Sequence, residues 1–289
     1  MLGKGAFGAV GLATRRAAGA TVAVKAVLKA RTPLAELAEE VAVMRRLAPA
    51  CAQRLTTCLI GFFQSATHWV VVMTYVPRAI TLRSLLSDGL HPRIADSVAR
   101  GIIGSLVDGL LAMHALGVAH RDVKPANVMT DPVSGHCTYI DLGLACVRSA
   151  CSGSGRIGTD KYWPPEVALR REWNADAFAR ARATDAWALG LVLFELVTRR
   201  GAVDAWEAAG GTLESFARDF DLASLASRPP SASRSLPSAM AALCRAANAH
   251  LGRLAEQGAP VASLDGLLAR DPRARLSALD AISARRRRR

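Results

Sequence analysis

His120-Arg121-Asp122-Val123-Lys124-Pro125-Ala126-Asn127, with Asp141-Leu142-Gly143 after it, is the stretch on which the reading of this chain turns. Two carboxylates, one amide and one lysine in this order suit phosphoryl transfer from a metal-bound nucleotide, a reaction whose catalysis is mostly positioning and charge neutralisation. Toward the N-terminus lie Val22-Ala23-Val24-Lys25 and, before it, Leu2-Gly3-Lys4-Gly5-Ala6-Phe7-Gly8-Ala9-Val10. Glycines at 3, 5 and 8 let a backbone close over phosphates, where a side chain would block the approach or force strained dihedrals. Toward the C-terminus lie Gly158-Thr159, Pro164-Pro165-Glu166, Asp185-Ala186-Trp187-Ala188-Leu189-Gly190 and Asp271-Pro272-Arg273-Ala274-Arg275.

Each of these alone is a weak signal, and Gly-x-Gly-x-x-Gly by itself is most often an ordinary turn. Together and in this order they resemble the eukaryotic-type protein kinase family along almost the whole chain. The resemblance implies an α+β, two-lobed fold, with a small antiparallel β lobe carrying one main helix and a larger, mainly helical lobe. It places a kinase domain over 1–289, with an N-terminal lobe at 1–76 whose first strand is largely missing, a C-terminal lobe at 77–282 and a basic tail at 283–289.

Local patterning agrees. Thr21 to Leu28 is β-branched and apolar, Leu55 to Phe63 and Trp69 to Tyr75 read as a hairpin, and Thr32 to Leu47 reads as a helix. Ile94, Val98, Ile102, Leu106 and Leu110 recur at four-residue spacing, one stripe along a helix. Ser227 to Pro237, dense in serine and proline, reads as an exposed loop.

With 289 residues and 51% apolar composition the chain can bury two cores, which excludes disorder as its main state. The longest uncharged apolar run, Ala186 to Phe194, falls short of the roughly twenty residues of a membrane span. No secretory leader is visible, so an intracellular protein is expected, cytoplasmic with the nucleus as an alternative, and without a membrane partner. Cys51, Cys58, Cys137, Cys146, Cys151 and Cys244 contain no Cys-x-x-Cys pair and read as free thiols in a reducing compartment. Cys146 and Cys151 leave a redox or metal role open. A formal charge of +13 and the run Arg285 to Arg289 allow a nucleic-acid partner, but no aromatic residues interleave with the run, and a solvated, disordered end is the plainer reading.

The resemblance also implies roles. Lys25 would hold the α- and β-phosphates of ATP, and Glu40 would hold Lys25, preferred over Glu36 and Glu39 because it lies one turn from both Leu37 and Met44. Leu2, Gly3, Lys4, Gly5, Ala6, Phe7, Gly8, Val10, Ala23, Met73, Thr74, Val76 and Met129 would line the nucleotide site. Asp122 would act as base toward the substrate hydroxyl, Lys124 would neutralise the γ-phosphate, and Asn127 and Asp141 would hold Mg2+. Thr159 would hydrogen-bond Asp122 and Lys124, and Arg121 would grip a phosphate on Ser149, Ser152 or Ser154, although the short, glycine-containing stretch from Leu144 to Ile157 equally allows a permanently ordered loop that needs no phosphate. Glu166 would pair with Arg275, and Asp185 would hold the catalytic loop from the start of the central helix. Lys124 and Gly158-Thr159 are similar to the serine/threonine branch, which implies a protein substrate bearing Ser or Thr, and the chain is taken as a monomer.

The departures are few. Leu142 stands where the family more often has Phe, and the glycine loop begins at residue 3; both motivate the alternative of a nucleotide-binding scaffold with little or no turnover. The segment between Glu166 and Asp185 is longer than is common in the family. Ala126 occupies a place where kinases preferring basic substrates often carry an acid, which together with the basic composition points to an acidic or already phosphorylated substrate.

Overall fold

An apolar, β-branched run such as Thr21–Leu28 needs a sheet with a covered face, and the computed structural model supplies one. The structure describes residues 3–5, 8–16, 19–87, 94–151, 156–227 and 236–287. In the first lobe β1 (Gly3–Gly5), β2 (Gly8–Thr14), β3 (Thr21–Leu28), α1 (Leu34–Arg46), β4 (Leu59–Gln64) and β5 (His68–Thr74) build an antiparallel sheet in the order β1-β2-β3-β5-β4. Val10 lies opposite Lys25, and Ala23 lies opposite Met73. Directly opposed residues share a face, so these four look out of the same side of the sheet.

The strand expected from Leu55 begins only at Leu59. The preceding residues instead reach the other lobe: Tyr139 N donates to Leu55 O, and Thr57 N donates to Tyr139 O, each at 2.9 Å. Backbone groups claimed across the lobe boundary cannot also serve the sheet.

The second lobe opens with β6 (Ile80–Thr81), α2 (Leu82–Ser87) and α3 (Asp96–Ala115), followed by β7 (Val118–Ala119), β8 (Val128–Thr130), β9 (Cys137–Tyr139) and β10 (Cys146–Val147). These strands form two small sheets, β6-β8-β9 and β10-β7. Helices α4 (Pro165–Ala168), α5 (Ala177–Thr198), α6 (Ala202–Ala208), α7 (Leu213–Asp219), α8 (Leu222–Ser227), α9 (Leu236–Glu256) and α10 (Pro272–Arg287) complete it. The stripe on α3 is covered, with Ile102, Leu106 and Leu110 fully buried. By length and composition α3 could cross a bilayer, but half of its apolar window is buried, and it packs against α5 and β9.

Three expectations need correction. The first is the cysteines: Cys51 is bonded to Cys58 and Cys146 to Cys151, with Cα separations of 5.7 and 5.0 Å, so only Cys137 and Cys244 are free thiols. This removes the cysteine argument for a reducing compartment. The second is the arginine run, which does not begin as a loose end: α10 continues through Arg287, and Arg286 pairs with Asp108. The third is the Ser227 to Pro237 loop, of which Ser227 closes α8 and Leu236 and Pro237 open α9, while residues 228–235 lie outside the described residues.

Candidate active site

Strand alternation turns Lys25 to the same side as Ala23 and Val27, under α1. The helix presents Glu40 beside the buried Leu37 and Met44. Lys25 Nζ donates to both Glu40 carboxylate oxygens at 2.8 Å, with the two residues 8% and 7% exposed. Glu39 is exposed, and the Glu36 side chain lies outside the described residues. A buried ion pair of this kind adds little net stability, but its two contacts fix where the ammonium sits.

The loop that carries Asp122 is pinned from below. Asp185, fully buried, accepts from His120 N and Arg121 N, both at 2.8 Å, and lies 2.8 Å from His114 Nε2. Arg121 has φ 63°, a left-handed backbone that a non-glycine residue holds only when its surroundings impose it. The two bonds from Asp185 provide that constraint. Asp185 acts from inside α5 rather than from its start, because the helix begins at Ala177, capped by Asp176, whose side chain accepts from Ala179 N at 2.8 Å. His114 escaped the sequence reading; a histidine closing an apolar helix is a common C-terminal residue, and nothing local tied it to Asp185.

Asp122 stands at the centre of four donors. Its Oδ1 accepts from Thr159 N at 2.9 Å and Thr159 Oγ1 at 2.8 Å. Its Oδ2 accepts from Asn127 Nδ2 at 2.8 Å and Lys124 Nζ at 2.7 Å. Lys124 Nζ also donates to Thr159 Oγ1 at 2.6 Å. Gly158, at φ 85°, lets the chain pass close to the Arg121 carbonyl, where a Cβ would collide. Burial on its own would raise the Asp122 carboxyl, but hydrogen bonds from Lys124, Thr159 and Asn127 and the Lys124 charge outweigh it and hold the group below its ordinary value.

Asn127 Nδ2 also donates to Asp122 O at 3.0 Å, which leaves the amide oxygen for a cation. Ile140 N donates to Asn127 O at 3.0 Å and so delivers Asp141, exposed and at φ 60°, beside the loop. A Cβ on Gly143 would sit 3.5 Å from Asp141 Oδ1 and 3.8 Å from Glu40 Oε2, so the partner of Lys25 and the free-standing carboxylate flank one glycine. Among the described residues no group of three or more His, Cys, Asp or Glu side chains could hold a metal. Two hard oxygens without such a cage suit Mg2+, which keeps waters and phosphate oxygens in its shell. Leu142 is buried in the core.

The residues expected around the nucleotide separate as follows. Val10, Ala23 and Met73 share the sheet face of Lys25. Thr74 uses its N–H on Cys58 O at 2.9 Å and its hydroxyl as acceptor for Cys58 N at 3.1 Å, Val76 is half-buried, and Met129 sits half-buried in β8 on the opposite lobe. Gly3, Lys4 and Gly5 form β1, and Gly8 opens β2; Leu2, Ala6 and Phe7 lie outside the described residues, as do Ser152 and Ser154. Arg121 Nε donates to Leu144 O at 2.6 Å, holding the following segment by its backbone. Arg275, fully buried, pairs with Glu166, donates to Ala269 O at 2.7 Å and lies 5.5 Å over the Trp187 ring. Burial pushes the Glu166 carboxyl up, and Arg275 opposes the shift.

Comparison with known proteins gives the family. Residues 1–285 match the family described as protein kinase domain. The chain is similar to CBL-interacting protein kinase 4 of Oryza sativa subsp. japonica, 34% identical over 79% of this chain and 50% of the relative. It is also similar to CBL-interacting serine/threonine-protein kinase 8 of Arabidopsis thaliana, 27% identical over 68% of this chain and 42% of the relative. Human serine/threonine-protein kinase MRCK gamma is 31% identical over 68% of this chain and 13% of the relative. The chain thus spans about half the length of the first of these relatives and less of the others.

Proposed function

Because this chain belongs to the eukaryotic-type protein kinase family, we propose that it is an active serine/threonine kinase, transferring the γ-phosphate of Mg-ATP to Ser or Thr hydroxyls of protein substrates. The observation that carries this reading is the cage of Lys124, Asn127 and Thr159 around Asp122. An incoming hydroxyl takes the place of one donor on the Asp122 carboxylate, which orients it and accepts its proton as transfer proceeds. Lys124, already beside that carboxylate, is placed to meet the γ-phosphate. Lys25, held by Glu40, is the cation for the phosphates behind it. When bound by Asn127 and Asp141, Mg2+ supplies neutralisation of the phosphate oxygens. Leu142, one of the two departures behind the scaffold alternative, packs as a core residue, which weakens that ground for it.

The test is transfer from labelled ATP with Mg2+ to a panel of protein substrates. Asp122→Asn should lose at least about a hundredfold in rate, the range of a positioned base, while Mg-ATP still raises the melting point of the variant. Equal transfer by the variant and the parent chain would sink the proposal, and so would no transfer by either.

A further inference from the structure

The long segment between Glu166 and Asp185, which the catalytic reading leaves unused, forms one wall of a groove of about 970 Å³. Arg121, Arg156, Arg170, Arg171 and Arg180 line it, against two carboxylates, Glu166 and Glu172. Glu166 is taken up by Arg275. Among the described residues no carboxylate pairs with Arg156, Arg170, Arg171 or Arg180. Arg170 and Arg171 are exposed. Two further donors on the wall, Arg180 Nε and Trp173 Nε1, are buried and meet no acceptor. Guanidinium groups gathered in excess over carboxylates repel one another, and their planar forks match the oxygens of phosphate or carboxylate.

The groove also lies beside the transfer site. Arg121 directly precedes Asp122, and Ile157 precedes Gly158-Thr159, whose threonine bonds Asp122. A peptide with its acceptor hydroxyl at Asp122 would therefore lay a neighbouring side chain among these arginines. We propose that the groove binds a phosphoserine or phosphothreonine already present on the substrate peptide near its acceptor, so that the chain prefers primed substrates. The proposal rests on the kinase reading, and it narrows the substrate class to peptides carrying a phosphate.

The experiment uses the full chain, treated with phosphatase so that no phosphate of its own occupies the groove. Two fluorescent peptides that differ only in phosphoserine against serine beside the acceptor are compared by anisotropy, and then as substrates. The phosphopeptide should bind at least tenfold tighter and show a correspondingly higher kcat/KM. Arg170→Glu combined with Arg171→Glu should cut that preference to under twofold, with the Mg-ATP rise in melting point showing that the variant is folded. Equal binding of the two peptides, or a preference untouched by the double substitution, overturns the proposal. Tighter binding of a single-stranded oligonucleotide that displaces the phosphopeptide at the same salt also overturns it and assigns the groove to nucleic acid. Phosphopeptide preference in binding without any transfer would defeat the kinase reading and leave the groove standing.

Discussion

Lys25 and Glu40 sit where a charge without its partner is costly, so substitutions there test geometry and stability together. Lys25→Met leaves the Glu40 carboxylate buried and unpaired, a change that costs about 3–5 kcal/mol when one member of a buried pair is removed. Adding Glu40→Leu should return most of that loss while leaving phosphate transfer abolished, which urea denaturation of both variants would measure. If the second substitution adds to the damage, the unpaired Glu40 carboxylate is not the source of the loss. Asp122 gives a pH test at the same scale. Burial favours its neutral form, and the donors Lys124, Thr159 and Asn127 win over it, so its folded value lies below the roughly 3.9 of an unfolded aspartate. The stability it contributes is therefore present at neutral pH and is lost only as the pH falls through that lowered value. Lys124→Ala removes the leading donor and should move the acid limb of the kcat/KM profile upward, and an unmoved limb would show that Asp122 does not set it.

Elements bring these residues together through contacts that local pattern only partly reveals. Gly135, at φ 74°, lies in the β8–β9 connection so close to α3 that a Cβ would strike the Val98 carbonyl. Gly135→Ala should lower the melting point by far more than a surface substitution, because both dihedral and contact oppose it. Asp176→Ala removes the cap of α5 and should cost about 1 kcal/mol, seen as a small drop in the same scan. The sheet, α1 and the stripe on α3 were legible because period 2 and period 3.6 are written in neighbouring residues. The start of α5 was not: Arg180 and Arg182 interrupt the apolar pattern, and the second half of the segment, from Ala177, is the first two turns of the helix. Leu55 to Thr57 misled for the opposite reason. Its leucine and β-branched threonines resemble a strand, yet its backbone bonds go to Tyr139, a long-range choice that no local window contains.

Across the whole molecule the residues gathered around Asp122 were legible as types in order, but the covalent links were not. Spacing says which cysteines are near in sequence, whereas bonding depends on Cα separations that only the fold sets, here 5.7 and 5.0 Å. Cys51–Cys58 ties the small lobe to the connector that bonds Tyr139, and Cys146–Cys151 ties β10 to a residue lining the arginine groove. The two remaining thiols, Cys137 and Cys244, are each pushed up to about 12 by burial, so neither should react readily in the native state. Native alkylation should therefore label essentially no cysteine, and alkylation after mild reduction should label four, as counted by mass spectrometry. Each bridge closes a short loop, worth roughly 2–3 kcal/mol on loop-entropy grounds. At about 2–4 °C per kcal/mol for a chain of this size, dithiothreitol should lower the melting point by several degrees. Cys51→Ser with Cys58→Ser, and Cys146→Ser with Cys151→Ser, should each reproduce part of that drop and remove part of the response to reductant. Labelling of all four thiols before reduction, with no shift on adding reductant, would mean that neither bridge forms and that the connector and the groove are held by packing and hydrogen bonds alone.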